Sequence, residues 1–176
     1  MSIHATIAAL EAEGKLTRYL PRRSRHPARR RLFFTVEAAR DLADPNSAVN
    51  LLVGRGFLEA SLMRWVSGQQ VYGNRRGGRF LRRLWPPPSE IWEIRVTEPI
   101  VQARLFGRFA EPDTLILTRF HTRRLLGAKG SQDWQRAMIE CANIWSGVFG
   151  SVDPFSGSSI HHYVTENCDD FPLDRR

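Results

Sequence analysis

The sequence predicts an α+β protein in which a small antiparallel sheet packs against helices. Residues 91–97, 101–109 and 114–120 show the two-residue alternation, or the β-branched and aromatic composition, that is typical of strands. The breaks between them, Glu98-Pro99 and Glu111-Pro112-Asp113, are so short that neighbouring strands must run antiparallel. Outside this block, apolar residues recur every three or four positions, as in helices that cover a core.

The elements around these strands follow from the same patterns. A short amphipathic helix opens the chain and ends near Gly14, and residues 31–36 (RLFFTV) form a further strand candidate. Residues 36–67 form a helical block, in which Asp44-Pro45, a cap residue followed by proline, predicts the start of a second helix. A last helix with one apolar face begins at Ser131.

Length and composition bound the organisation of the chain. Its 176 residues, of which 42% are hydrophobic, suit one core domain at 31–150, with a helix and basic arm at 1–30 and a polar, acidic tail at 151–176. No apolar run approaches the ~20 residues that span a membrane, and no signal-peptide pattern opens the chain, so we expect a soluble protein. Cys141 lies on an apolar helix face and is expected to be a buried free thiol, which predicts the reducing cytoplasm. The two cysteines lack metal-ligand spacing, and we expect neither a metal nor a cofactor.

Positive charge is the strongest functional signal. The formal net charge is +8 and the pI is about 10.6, which favours a nucleic-acid partner. Residues 15–31 carry eight basic residues and no acid, and residues 75–83 carry five and no acid. Phe80 lies within the second run and Tyr72 and Trp85 lie beside it, and aromatic rings among arginines are typical of single-strand binding. The candidate binding residues are Arg22, Arg23, Arg29, Arg30, Arg31, Arg75, Arg76, Arg79, Arg82, Arg83, Arg95 and Arg108. The alternative is that these residues form solvated surface.

Three short motifs within the strands carry a family resemblance. They are Trp92-Glu93-Ile94-Arg95, then Ala103-Arg104-Leu105-Phe106, then Phe120 followed by Arg123-Arg124. Together with the preceding strand and helices, residues 30–125 resemble RelE/HigB-type toxins of bacterial toxin–antitoxin systems. The resemblance implies an endoribonuclease that cleaves messenger RNA at the ribosome and is silenced by an antitoxin protein.

The resemblance also implies site residues. Arg104 and the pair Arg123 and Arg124 would stabilise the pentavalent anion that forms when a 2′-hydroxyl attacks the adjacent phosphate. Arginine is a poor base, so His121 is the candidate for proton transfer, since its unperturbed pKa lies near neutrality. The alternative for His121 is an ordinary surface histidine at a strand end.

Two other functions remain open at this level. One is a ParE-like member of the same superfamily, which binds and poisons DNA gyrase without nuclease chemistry. The other is a non-enzymatic basic protein, of phage or prophage type, that binds nucleic acid or blocks a host complex. The basic arm and the acidic tail favour the second alternative, and we expect the tail to fold back over the basic surface.

Overall fold

The computed structural model confirms the predicted fold class, because a sheet packs against helices in an α+β arrangement. It describes residues 2–21, 28–72, 80–85, 90–97, 100–171 and 173. In chain order the elements are α1 (Ile3–Ala12), β1 (Leu16–Arg18), β2 (Arg31–Thr35), α2 (Val36–Ala43), α3 (Ala48–Leu52), α4 (Arg55–Val66), β3 (Leu81–Arg83), β4 (Trp92–Val96), β5 (Ala103–Glu111), β6 (Thr114–Thr122), α5 (Gln132–Phe149) and α6 (Ile160–Tyr163).

The six strands lie in the order β1, β2, β6, β5, β4, β3. Strands β4, β5 and β6 form the antiparallel meander that their alternation and short turns predict. One pair departs from the expected antiparallel sheet, because β2 runs parallel to β6. The helical block α2–α4 carries the chain from β2 to β3 at the far edge of the sheet. The return through the meander then leaves β6 pointing in the same direction as β2.

Helices cover both faces of the sheet. Leu32 and Phe34 of β2 belong to a core cluster with α2, α3, α4 and the C-terminal segment, whereas Phe33 belongs to a cluster with α1 and the end of α5. Successive side chains of a strand point to opposite faces, so these two clusters lie on opposite sides of the sheet. On the α5 side, Trp134 and other residues early in α5 pack on Phe106. The face that carries Arg104 and Arg108 is therefore largely covered.

The C-terminal segment is part of the core. The Tyr163 carbonyl accepts a hydrogen bond from Asp113 N at 2.9 Å, and Phe155 N donates to the Phe109 carbonyl at 2.8 Å. The Tyr163 ring is fully buried, with its centroid 4.5 Å from that of Trp92. Residues 155–171 thus pack on the sheet, although their sequence is rich in polar and acidic residues.

Two local expectations about helix starts have different outcomes. Ser131 caps α5 as predicted, since its Oγ accepts a hydrogen bond from Trp134 N at 3.2 Å. The helix start predicted at Asp44-Pro45 is wrong, because Asp44 Oδ1 closes a turn by accepting from Asn46 N at 2.8 Å. Helix α3 begins three residues later, with Ser47 as its cap.

Candidate nucleic-acid interface

The strand register places three of the predicted residues side by side. Arg95 of β4 is the direct partner of Arg104 on β5, and Arg104 is the direct partner of His121 on β6. Directly opposed side chains in antiparallel strands lie about 5 Å apart at their Cβ atoms, so these three share one face. Arg123 follows at the end of β6, where its N–H donates to the Gln102 carbonyl at 2.7 Å.

Glu93 lies among these arginines. Its side chain is only 1% exposed, with Arg104 Nε 3.3 Å from Oε2 and Arg95 Nε 4.0 Å from Oε1. Arg82, the cross-strand partner of Glu93 on β3, and Arg123 also act electrostatically on its carboxylate. We call Glu93, Arg82, Arg95, Arg104 and Arg123 the arginine cluster. Burial raises the pKa of Glu93, and the four guanidinium groups oppose that rise.

Arg104 lies at the bottom of the arginine cluster, where its side chain is 4% exposed. Besides pairing with Glu93, its guanidinium donates to the Ala103 carbonyl at 2.8 Å and to Gln102 Oε1 at 3.0 Å. Burial, opposed by Glu93 and reinforced by the nearby arginines, lowers the pKa of Arg104 to about 10. Arg104 is therefore placed to hold Glu93 and Gln102 in position beneath the surface, rather than to contact a substrate.

His121 also differs from a surface residue. Burial, and secondarily the charge of Arg119, lowers the pKa of His121 to about 4, so its imidazole is neutral at pH 7. The ring packs against Phe106 with centroids 5.1 Å apart. Within the described part of the chain, its buried Nε2 has no hydrogen-bond partner. A neutral imidazole of this kind cannot act as a general acid near neutrality.

Three arginines of the arginine cluster, and the neighbouring Arg124, reach solvent. Arg95 has a side chain that is 23% exposed, Arg82 and Arg123 are half-buried, and Arg124 is exposed. The Arg123 guanidinium donates to the Gly127 carbonyl and lies 5.2 Å from the ring centroid of Trp134, which fixes its position over the start of α5. These groups are the ones that a ligand can reach from solvent.

Most of the other described arginines form structural contacts instead. Arg30 is buried against the Trp65 ring and donates to the Gln69 and Glu166 carbonyls at 3.0 and 2.5 Å, which anchors the C-terminal segment. Arg108 is 8% exposed and lies 5.9 Å from the Trp145 ring centroid. The remaining ion pairs join Arg29 to Glu166, Arg31 to Glu111 and Arg83 to Glu90. Predicted binding residues Arg22, Arg23, Arg75, Arg76 and Arg79 lie outside the described residues.

An exposed aromatic ring, that of Tyr72, lies at the β3 edge of the sheet, on the α4 side. The Phe80 carbonyl accepts a hydrogen bond from Arg95 N at 2.8 Å, and Phe80 N donates to the Tyr72 carbonyl at 3.3 Å. Tyr72 is 45% exposed, and the Arg64 guanidinium lies 5.1 Å from its ring centroid. Charge runs in the sequence did not point to Arg64, which lies within a helix. In contrast, the period-two pattern of β4 places Glu93 on the face of Arg95, so the sequence held a signal for Glu93.

No protein-family model matches the chain, and no curated protein or solved structure is significantly similar to it. We therefore argue function from the geometry of the chain itself. None of the helices in the described ranges is long and apolar enough to cross a membrane. The described residues also contain no group of three or more histidine, cysteine or acidic side chains that could hold a metal ion.

Proposed function

We propose that the protein binds single-stranded RNA through its phosphates, at the surface formed by Arg95, Arg123 and Arg124, with Tyr72 at the adjoining β3 edge of the sheet. The observation that carries this proposal is the arginine cluster, in which guanidinium groups from adjacent strands converge on a single buried carboxylate, that of Glu93. Like charges at this spacing repel one another, and a phosphate on the surface would offset that repulsion. The exposed Tyr72 ring supplies a face on which a base can stack.

Arginine is suited to this role. Its planar guanidinium makes paired hydrogen bonds to phosphate oxygens and retains its charge in a half-buried position. Single-stranded RNA fits better than a duplex, because a flexible strand can follow the sheet edge from the arginines to Tyr72, where an unstacked base can stack. RNA binding would place the protein in the cytoplasm. Its two free thiols fit that compartment, since burial raises the pKa of both Cys141 and Cys168 to about 11.

Salt titration of RNA binding tests the proposal. For a labelled single-stranded RNA, log K should fall with log salt by a slope of about −0.7 for each phosphate neutralised. Arg95→Gln should reduce both affinity and slope. Arg136→Gln removes the same charge from an exposed position on α5, where Arg136 pairs with Asp133, and should change neither. Absence of binding at low salt, or equal effects of the two substitutions, would contradict the proposal.

A second candidate is the RelE/HigB-like function, cleavage of messenger RNA at the ribosome under the control of an antitoxin. One observation favours it: the residues that the resemblance implies, Arg104 and Arg123, lie in one cluster with His121. In this case the half-buried Arg123 and the exposed Arg124 would stabilise the developing anion, and Arg104 would act as a positioning residue through Glu93. His121, with a pKa of about 4, would not supply the proton at pH 7.

Purified protein, incubated with RNA in the presence and absence of ribosomes, separates the two candidates. A nuclease produces new transcript ends that disappear in Arg123→Gln, while the fold and most of the RNA affinity remain. If RNA stays intact in both conditions while binding persists, the arginines serve binding alone. If Arg123→Gln still produces new transcript ends in the presence of ribosomes, the catalytic residues lie outside the arginine cluster.

A further inference from the structure

The arginine cluster contains more positive than negative charge. Arg95, Arg104 and Arg123 contribute three positive charges against the single carboxylate of Glu93, which leaves +2 before Arg82 is counted. Among the described residues, Glu93 is the one acid whose charge acts on Arg104. A half-buried position with this excess favours a ligand that carries about two negative charges.

One buried polar atom in the arginine cluster points the same way. Among the described residues, Arg95 Nε is buried without a hydrogen-bond partner. The Glu93 carboxylate below it is 99% buried and lies 3.3 Å from Arg104 Nε. Most buried polar atoms in native structures have a hydrogen-bond partner. A buried donor without a partner, next to an excess of positive charge, therefore indicates that an anionic acceptor binds there.

We propose that the arginine cluster is a site for a phosphomonoester dianion, and specifically for the terminal phosphate of an RNA strand. This inference rests on the RNA-binding function proposed above. A terminal phosphate carries between −1.5 and −2 charges near pH 7, whereas a bridging phosphate carries one. A dianion offsets more of the excess charge of the arginine cluster, which is +2 without Arg82 and +3 with it, than a bridging phosphate does, and its additional oxygen offers further acceptors to guanidinium groups.

The residues divide this role between them. Arg95 and Arg123 reach the surface and contact the phosphate, while Glu93 and Arg104 lie below and fix their directions. Tyr72, at the sheet edge on the α4 side, is placed to stack on a base further along the strand. The arginine cluster thus recognises the end of a strand, and the neighbouring surface binds the phosphates that follow.

Three RNAs of one sequence test this assignment: one with a 5′-phosphate, one with a 3′-phosphate and one with hydroxyls at both ends. One phosphate-ended RNA should bind about tenfold or more tightly than the hydroxyl-ended RNA, the gain that a charged hydrogen-bonded contact gives. Arg95→Gln and Arg123→Gln should each abolish this preference, and Arg136→Gln should retain it. Circular dichroism confirms that each variant is folded.

The outcomes separate this inference from the broader function. Equal binding of all three RNAs overturns the terminal-phosphate site and leaves RNA binding standing. No binding of any RNA overturns both. Competition by a nucleoside monophosphate and by inorganic phosphate identifies the source of the dianion: if inorganic phosphate competes as well as the RNA end does, the site is for a free anion and the RNA-end assignment is wrong.

Discussion

Replacing Arg104 should affect the stability of the fold far more than RNA contact. Arg104 lies under the arginine cluster, with its guanidinium 3.3 Å from the buried Glu93 carboxylate and hydrogen-bonded to Ala103 and Gln102. Arg104→Met keeps much of the side-chain volume and removes the charge. Glu93 then remains buried, and its ion-pair partner among the described residues is Arg95, whose Nε lies 4.0 Å from Oε1.

Removing one partner of a buried ion pair costs about 3–5 kcal/mol, because the other charge stays buried and uncompensated. For a domain of this length, each kcal/mol lowers Tm by about 2–4 °C, so the expected loss is about 6–20 °C. Because the other arginines near Glu93 still offset part of its charge, we expect a loss of Tm near the lower end of this range. The double replacement Glu93→Met with Arg104→Met removes both charges and should regain most of the loss.

The same substitution has a pH signature. The folded-state pKa of Glu93 is raised above its ordinary value of 4.5, so its contribution to stability is fully present below pH 4.5 and is lost as pH rises through the folded pKa. Arg104 is the largest influence that opposes this rise, so Arg104→Met raises the pKa of Glu93 further and extends the pH range over which ionising Glu93 costs stability. The difference in unfolding free energy between Arg104→Met and wild type should therefore be small in acid and grow towards neutral pH.

Thermal and urea unfolding, followed by circular dichroism from pH 4 to 8, measure both effects. Arg95→Gln is the matched control, since it removes a charge from the same face at a part-exposed position and should alter stability little. If Arg104→Met unfolds at the wild-type temperature at pH 7, or if the double variant is less stable than the single one, Arg104 does not hold Glu93 in the way described.

Two further predictions concern β5 and β6. Gly107→Ala should destabilise the fold severely or prevent folding, because an added Cβ would lie 2.2 Å from the Ile116 carbonyl oxygen and backbone atoms cannot move aside. Expression level and urea unfolding measure this effect. Gly56→Ala is the control, since a Cβ added there meets no atom within 4 Å. His121→Phe should remove a loss of stability that wild type undergoes as pH falls from 6.5 towards 4, because the depressed pKa of His121 means that its neutral form is favoured in the fold. Parallel acid-unfolding curves for wild type and His121→Phe would show that the imidazole is not buried as described.

Local sequence patterns determined the fold class and the meander. The alternation in β4 and β5, and the short turns on either side of β5, act between near neighbours in the chain, so they can be read from one segment at a time. The same alternation placed Arg95 and Arg104 on one face, and the resemblance pointed to Arg123 nearby. The cap at Ser131 was equally local.

Tertiary structure decided which of those arginines meet solvent. Helix α5 packs over the face of Phe106, and this contact between distant segments leaves Arg104 buried while Arg95 reaches the surface. Arg30 belongs to an unbroken basic run in the sequence, yet it is buried on Trp65 because the C-terminal segment returns to place the Glu166 carbonyl beside it. Charge alone could not separate these cases, since every arginine carries the same charge and only the packing of distant segments sets its exposure.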